Sequence, residues 1–396
     1  MPSRTGPARI AFCDAYAAMH GAGMMLCEIV RRLDRERFEP VAVLPVEGAL
    51  VEGLRALDCP VEVVRPDPPL DQFGQRVVRG SLAGKLRAVL ALHRYANRMS
   101  AWLRAHDVRL LHCNQTRAAV LAGPGARRAR VPAVLNVRIR EELPAPIVRL
   151  AEACATRIVP LTEDSFAAQP RARQLMRRAT VIPNAVDLER FAPSVDGPAV
   201  RAELNIPPGA PIILSAGVLM PRKGFGVLIR ALPQIIDRHP DARLLIAGAR
   251  SDAHPRDHPA ELRALAHELG LGGAVLLLGR RSDVPELLAA CDVFALTSHH
   301  EGQPAVVLEA MATARPVVVT PAAAAGVEHG RSGIVVPEDD PAAVAAAVLD
   351  LLARPARARE IGCAARREIE EHHDVRAMVR AYERVYLELL GEDAPG

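Results

Sequence analysis

Hydrophobic positions along the chain repeat with two alternating periods. Short apolar runs rich in β-branched residues fall at 9–13, 40–44, 61–64, 108–112, 133–137, 157–160 and 180–182, and again at 211–216, 243–247, 274–278, 293–296, 316–319 and 334–336. Between them lie longer stretches whose apolar residues recur at helical spacing. Strands alternating with helices predict parallel sheets covered on both faces, an α/β architecture. The pattern breaks over 192–211, where prolines and glycines punctuate the chain without a long apolar run. That break predicts two doubly wound, Rossmann-like domains, residues 1–193 and 211–371, joined by a hinge at 194–210. Ligands of such sheets sit at the carboxyl ends of the strands, so the cleft that the two domains would face is the expected site.

A chain of 396 residues suits two domains of this size. With 50% hydrophobic and 24% charged residues, disorder, collagen-like repeats and coiled coils are excluded. No apolar run approaches the roughly 20 residues needed to span a bilayer, and 1–13 show no secretory leader, so a cytoplasmic protein is expected. The seven cysteines (13, 27, 59, 113, 154, 291 and 363) are scattered, without Cys-x-x-Cys spacing, and read as small buried hydrophobes.

The net charge of +4 hides an asymmetry: residues 1–195 hold 29 Lys and Arg against 19 Asp and Glu, and the remainder 21 against 27. Segment 76–104 places Leu82, Leu86, Val89, His93, Ala96, Met99 and Leu103 at helical spacing, with Arg79, Lys85, Arg87, Arg94 and Arg98 mostly elsewhere. It reads as a core helix with a basic outer face, suited either to solvent or to an anionic acceptor or membrane surface. Nucleic acid is not the expected partner, because only 3% of residues are aromatic and none interleave with the basic ones.

Three stretches carry candidate chemistry. After the first strand, His20-Gly-Ala-Gly-Met opens a helix, and Gly21 and Gly23 allow close backbone approach to a phosphate at its N-terminus. After the first strand of the second half, Pro221-Arg-Lys-Gly224 sets Arg222 and Lys223 before a helix. Lys223 and Lys85 are the two lysines of an otherwise arginine-using chain, and a compact ammonium there could neutralise a diphosphate. Further on, His299-His-Glu-Gly-Gln-Pro-Ala-Val-Val-Leu-Glu309 puts Glu301 in a loop and Glu309 two turns into a helix, on the order of 10 Å away. That spacing is too wide for a retaining hydrolase pair and suits gripping hydroxyls at both ends of a long polar ligand, beside the free N–H groups of a helix start.

Those stretches, with Val181-Ile-Pro-Asn-Ala-Val-Asp187 and Leu278-Gly-Arg-Arg-Ser-Asp283 to Phe294, resemble the family-4 retaining glycosyltransferases of GT-B fold in ordered motifs that span almost the whole chain. The resemblance implies an acceptor-binding first domain, a second domain that binds a nucleotide-diphosphate sugar, and a helix over 372–396 returning to the first domain. It implies that Glu301 holds hydroxyls of the donor sugar, with Gln303 and Pro304 along it, Ala305 and Val306 lending backbone N–H groups, and Glu309 on the ribose. Lys223 and Arg222 would stabilise the leaving diphosphate, Gly21 and Gly23 would approach its distal phosphate, and Arg281 would lie near the base. The family's arginine five residues before the lysine is Val218 here, and its first-domain histidine is matched by Asn136, with Arg138 matching the arginine that follows; His20 and His112 are spare candidates. The implied activity is metal-independent transfer from a nucleotide-diphosphate sugar, a UDP-sugar being the commonest in the family, to a glycan or lipid-linked glycan, for surface polysaccharide or glycoconjugate synthesis. The protein would be cytoplasmic or peripheral to a membrane. No Asp-x-Asp is present to hold a metal–nucleotide pair, and neither a resident cofactor nor a metal is expected. A second reading, motivated by Val218 and the absent histidine, is a weak or inactive nucleotide-sugar-binding or scaffold subunit of a polysaccharide-assembly complex.

Overall fold

The structure, a computed structural model, describes residues 6–19, 21–70, 81–138, 143–166, 171–195, 197–250, 257–324 and 326–392. It divides into two compact units, Met1–Pro183 with Arg376–Gly396, and Asn184–Val375.

The first unit runs β1 (Ala8–Cys13), α1 (Gly21–Arg32), β2 (Phe38–Leu44), α2 (Ala49–Arg55), β3 (Val61–Val63), α3 (Leu82–Ala105), β4 (Leu110–Cys113), α4 (Thr116–Ala129), β5 (Ala133–Val137), α5 (Ala145–Cys154), β6 (Arg157–Pro160) and α6 (Ala172–Met176). Its six strands are parallel in the order β3-β2-β1-β4-β5-β6. The order reverses between β1 and β4, and in such sheets ligands bind at that switch point, beyond the carboxyl ends of the strands. The expected strand at 180–182 is not formed: Thr180 and Ile182 bond back to Ile158 and Pro160, and Pro183, which lacks a donor, closes the segment.

The second unit runs α7 (Pro198–Glu203), β7 (Ile212–Ala216), α8 (Phe225–Ile236), β8 (Arg243–Ala247), α9 (His258–Glu268), β9 (Val275–Gly279), α10 (Val284–Ala290), β10 (Val293–Leu296), α11 (Ala305–Ala312), β11 (Val317–Val319), β12 (Ile334–Val335), α12 (Pro341–Ala353) and α13 (Pro355–His372). Its parallel sheet, ordered β12-β11-β10-β7-β8-β9, repeats the same winding with a switch point between β7 and β10. Side chains alternate across it: Ile212, Leu214 and Leu245 pack on one face, Ile213, Leu244 and Ile246 on the other. The last helix, α14 (Val375–Leu390), groups with the first unit.

Two further sequence expectations are corrected. Residues 194–210 are not a hinge between units: the boundaries fall at Pro183/Asn184 and Val375/Arg376. Val200, Ile206 and Ala210 are buried in the second unit's core, and Arg201 ties the segment to the carbonyls of Ala210 and Ala290 and to Asp292. The prolines mark turns within a packed segment rather than a linker. The apolar face of 76–104 is only half a core face. Ala91, Tyr95, Ala96, Met99 and Leu103 are buried, whereas Leu82, Leu86 and Val89 are exposed. The 24-residue α3 is about 36 Å long and its neighbour α4, at 14 residues, about 21 Å, so the first turns of α3 overhang their support. Arg79 lies outside the described residues.

Candidate functional site

In the second unit, the loops that leave β7 and β10 meet at the switch point. The first ends in a single turn, Pro221–Lys223, closed by Gly224 at φ 69°. A side chain at Gly224 would place its Cβ 2.0 Å from the Thr297 carbonyl oxygen, so only glycine lets the two loops approach this closely. Thr297 Oγ1 donates to the Gly224 carbonyl (2.8 Å), His299 N–H to that of Arg222 (2.9 Å), and Arg222 Nη1 to that of His300 (2.7 Å). This stapling brings Lys223 Nζ to 2.6 Å from Glu301 Oε1, a close ion pair whose angles fall short of a directed hydrogen bond, while Arg222 Nη1 lies 3.4 Å from Oε2. Lys223 is 8% exposed. Burial pulls its ammonium below the usual lysine range, against the opposing pull of the Glu301 carboxylate. The site thus holds one cation and one carboxylate away from bulk water, where charge interactions are strong, with the part-exposed Arg222 guanidinium at its edge.

The rest of the loop leads into α11. Pro304 caps the helix without a side-chain bond, and Ala305 and Val306 occupy the first turn, where N–H groups have no carbonyl four residues back. Glu309 is buried in the same helix. Gln303 is buried and engaged: its Oε1 accepts the Asn184 N–H (2.6 Å), and its carbonyl accepts Asn184 Nδ2 (2.8 Å). Asn184 in turn presents its carbonyl to His373 Nδ1 (2.8 Å), and Val186 pairs with residues 373–375. The structure therefore gives Gln303 a positioning part that the sequence reading missed, with Asn184 and His373 as its supports. Asn184 stood inside the quoted Val-Ile-Pro-Asn motif, so its type was visible, but nothing local linked it to Gln303. Ser298, fully buried beside this loop, was also missed; its hydroxyl has no hydrogen-bond partner among the described residues.

Other expected site residues lie elsewhere. Arg281 is held by Glu203 (2.5 and 2.8 Å) and Asp283 (2.8 and 2.5 Å), which push its guanidinium further above its ordinary range. Its charge is already matched, and the contacts make it a clamp between α7 and the loop before α10, just beyond the carboxyl end of β9. Val218 is half-buried on a segment running beside 247–250 and carries no charge to the loop; Arg222 supplies the second cation.

In the first unit, Gly23 is required by packing, since a Cβ would lie 2.7 Å from the Ala18 carbonyl oxygen; at Gly21 nothing lies within 4 Å. His20 lies outside the described residues. Asn136 is buried in a closed network and is not available to an acceptor as placed. Its Nδ2 donates to His112 Nε2 (3.1 Å), Tyr382 donates to its Oδ1 (3.0 Å), and His112 Nδ1 meets the Tyr386 hydroxyl (2.7 Å). Those bonds put the His112 proton on Nδ1, and burial lowers its pKa to about 3. Arg138 sits at the carboxyl end of β5, its Nε bonded to Asn114 Oδ1 (2.9 Å), and Asn114 Nδ2 bonds Asp14 (2.6 Å), which also receives Gln115. Asp14 follows β1 and Asn114 follows β4, so this polar cluster occupies the first unit's own switch point; burial raises the Asp14 carboxyl above its usual range. Neither Asp14 nor Asn114 was singled out in sequence, because Asp14 stands alone in an apolar context and Asn114 opens a polar run, Asn-Gln-Thr-Arg, with no recognisable spacing.

Two family models match the chain, "Glycosyltransferase Family 4" over residues 48–190 and "Glycosyl transferases group 1" over 210–354. A D-inositol 3-phosphate glycosyltransferase from Kineococcus radiotolerans is 32% identical over 49% of the chain and 48% of the relative. A GDP-mannose-dependent α-(1-6)-phosphatidylinositol monomannoside mannosyltransferase from Mycolicibacterium smegmatis is 30% identical over 68% of the chain and 74% of the relative. The chain spans about half the length of the first curated relatives it matches. Among solved structures, Anabaena HepE in complex with UDP and glucose shares the fold, with a TM-score of 0.79, 24% identity, and coverage of 95% of this chain and 98% of that one. With two doubly wound units, a cation pair at the switch point of the second, and a relative matched over most of its length, the chain belongs to the family-4 glycosyltransferases, the glycosyl transferases group 1.

Proposed function

We propose that the protein transfers a sugar from a nucleotide-diphosphate sugar to a glycan or lipid-linked acceptor, with retention at the anomeric carbon and without a divalent metal. The observation that carries this reading is the convergence of Lys223 and Arg222 on Glu301 beside the first turn of α11. A leaving diphosphate needs fixed positive charge where its own charge develops, and the buried Lys223 with Arg222 beside it would supply it with little reorganisation. A diphosphate would compete with Glu301 for those cations and leave the carboxylate to accept hydrogen bonds from sugar hydroxyls. Ala305 and Val306 would add backbone N–H donors, and Glu309 would accept from the ribose. The acceptor hydroxyl would attack from the face the nucleotide leaves, so positioning and charge stabilisation carry the reaction. Gln303, fixed by Asn184, would hold the loop rather than grip the sugar with its amide.

A uridine donor is the reading that follows from its being the commonest in the family, and the GDP-mannose named for the M. smegmatis relative makes guanosine the alternative. The phosphorylated and lipid-linked polyols named for the relatives favour an anionic acceptor, in keeping with the basic first half. The test is turnover of UDP- and GDP-sugars with and without such acceptors and chelator. Glu301→Ala and Lys223→Ala are each expected to lower kcat/KM by about 100-fold or more while the protein stays folded. Unchanged rates in both would remove the site, and nucleotide binding without turnover by the unmutated protein would favour the binding-subunit reading.

A further inference from the structure

The polar cluster at the switch point of the first unit is centred on a buried carboxylate. Asp14 is 3% exposed and has no ion-pair partner among the described residues. Its oxygens accept Asn114 Nδ2 (2.6 Å), Gln115 Nε2 (3.1 and 3.2 Å) and the Tyr16 N–H (3.0 Å). Asn114 is fully buried, and its amide links this carboxylate to two further places. Nδ2 also donates to the Ala22 carbonyl in α1 (3.0 Å), and Oδ1 accepts Arg138 Nε (2.9 Å). Turning that amide over would set its oxygen against a carboxylate and a carbonyl, and its N–H groups against a guanidinium N–H. Asp14 therefore fixes which end of Asn114 meets Arg138. A carboxylate is costly to bury, and a direct ion pair with Arg138 would offset much of that cost. The interposed amide keeps the two charges apart instead and takes only the Nε edge of the guanidinium. The fork of two Nη nitrogens, which matches an oxyanion, is not used by that bond. Arg138 is the first residue past β5, beside the strands between which the order reverses, where sheets of this kind take their ligands. Arg117, with its guanidinium 5.7 Å from the centre of the Tyr16 ring, adds a cation beyond the ends of the same strands.

We infer that Asp14 is a positioning residue for acceptor binding, which through Asn114 aims the Arg138 guanidinium at an anionic group of the acceptor. Asp14 itself touches no ligand, because its oxygens are turned to three protein donors. A carboxylate that merely stapled loops together would depend on Gln115 as much as on Asn114. A positioning carboxylate makes the two unequal, because Asn114 alone leads on to Arg138. That the anion belongs to the acceptor rests on the transfer reading above; the aim of Arg138 does not, and it is open to test without a sugar donor.

The experiment is a titration of the full chain with inorganic phosphate, followed by its melting temperature. It is run on Glu301→Gln/Lys223→Met, which removes the buried cation of the second unit, and repeated on the unmutated chain so that instability of that variant cannot decide the outcome. Phosphate is expected to raise the melting temperature beyond chloride of equal ionic strength. Asp14→Asn and Asn114→Ala should each weaken phosphate by about tenfold, as for loss of one charge-assisted hydrogen bond. Gln115→Ala removes a donor from the same carboxylate and should change the affinity by less than about twofold. Arg138→Lys keeps the charge without the planar Nε edge, and on that background Asp14→Asn should add less than about twofold. With an acceptor that is turned over, Asp14→Asn should raise the acceptor KM by about tenfold and leave kcat nearly unchanged. No rise beyond chloride would overturn the inference. So would equal losses in Asn114→Ala and Gln115→Ala, or an Asp14→Asn loss that Arg138→Lys leaves undiminished. The predicted phosphate pattern without turnover of any donor would count against the transfer reading and not against the aim of Arg138.

Discussion

Lys223 and Glu301 are the pair on which the proposed donor site turns, and their burial makes them interdependent. A buried charge left without its partner is strongly destabilising, whereas replacing both partners together costs far less. Glu301→Gln is therefore expected to lower the unfolding free energy by about 3 kcal/mol, and the double variant Glu301→Gln/Lys223→Met by less than the single one. Denaturant unfolding of the two singles and the double checks this; additive losses would mean that the pair is not coupled. Residue type and spacing singled out Lys223, Arg222 and Glu301, which the fold brings together, and also Glu309. What spacing could not disclose was occupancy by other partners. Gln303 carries the right chemistry for a sugar but spends it on Asn184, Arg281 is neutralised by Glu203 and Asp283, and Asn136 is enclosed by His112 and Tyr382. Those partners lie between 2 and 246 residues away in sequence, and only the fold brings the distant ones near.

Between strands and helices, the loop geometry of the site depends on one glycine. Gly224→Ala would combine a left-handed φ of 69° with a Cβ 2.0 Å from the Thr297 oxygen. Gly209 has a similar φ of 79° but open space around it, which makes Gly209→Ala the matched control. The control is expected to cost about 1 kcal/mol, and Gly224→Ala at least about 2 kcal/mol more, with loss of nucleotide binding. Equal melting temperatures for the two would show that the loops are not stapled as described. The strands were legible nearly to the residue, because buried parallel strands read as continuous β-branched runs. The strand expected at 180–182 is the exception, and the two remaining errors share a cause. Segment 194–210 was read from its prolines although Val200, Ile206 and Ala210 bury its apolar side, and α3 was read from its periodicity although its first turns outrun α4. Composition and period describe an element, not what lies opposite it.

Over the full length of the chain, the same strand order occurs twice, and each unit gathers polar side chains at its switch point. The winding was legible from the alternation of periods, and the resemblance implied a last helix returning to the first domain; the network of His112, Asn136, Tyr382 and Tyr386 was not legible, because these side chains come together only through the fold. This network has a consequence in acid. His112 has a pKa of about 3 when folded and 6.5 when exposed, so the unfolded chain takes up a proton that the folded one refuses. Its contribution is intact above pH 6.5 and is lost as pH falls toward 3, with a slope of up to about 1.4 kcal/mol per pH unit. His373, also lowered chiefly by burial, acts with the same sign. Urea unfolding between pH 7 and pH 4 should show a falling midpoint, with a shallower fall in His112→Gln; an identical pH dependence would place the acid sensitivity elsewhere.

A nucleotide diphosphate is proposed to bind at Lys223 and Glu301 without a metal. The most direct measurement is a thermal-shift titration of the purified chain with UDP, GDP and their sugar conjugates, with and without chelator, on wild type, Lys223→Ala and Glu309→Ala. A ligand that binds only the folded protein raises its melting temperature by mass action. The account predicts a rise with one nucleotide family that chelator leaves unchanged and that both variants lose. A rise that Lys223→Ala retains, or none with any nucleotide, would contradict it.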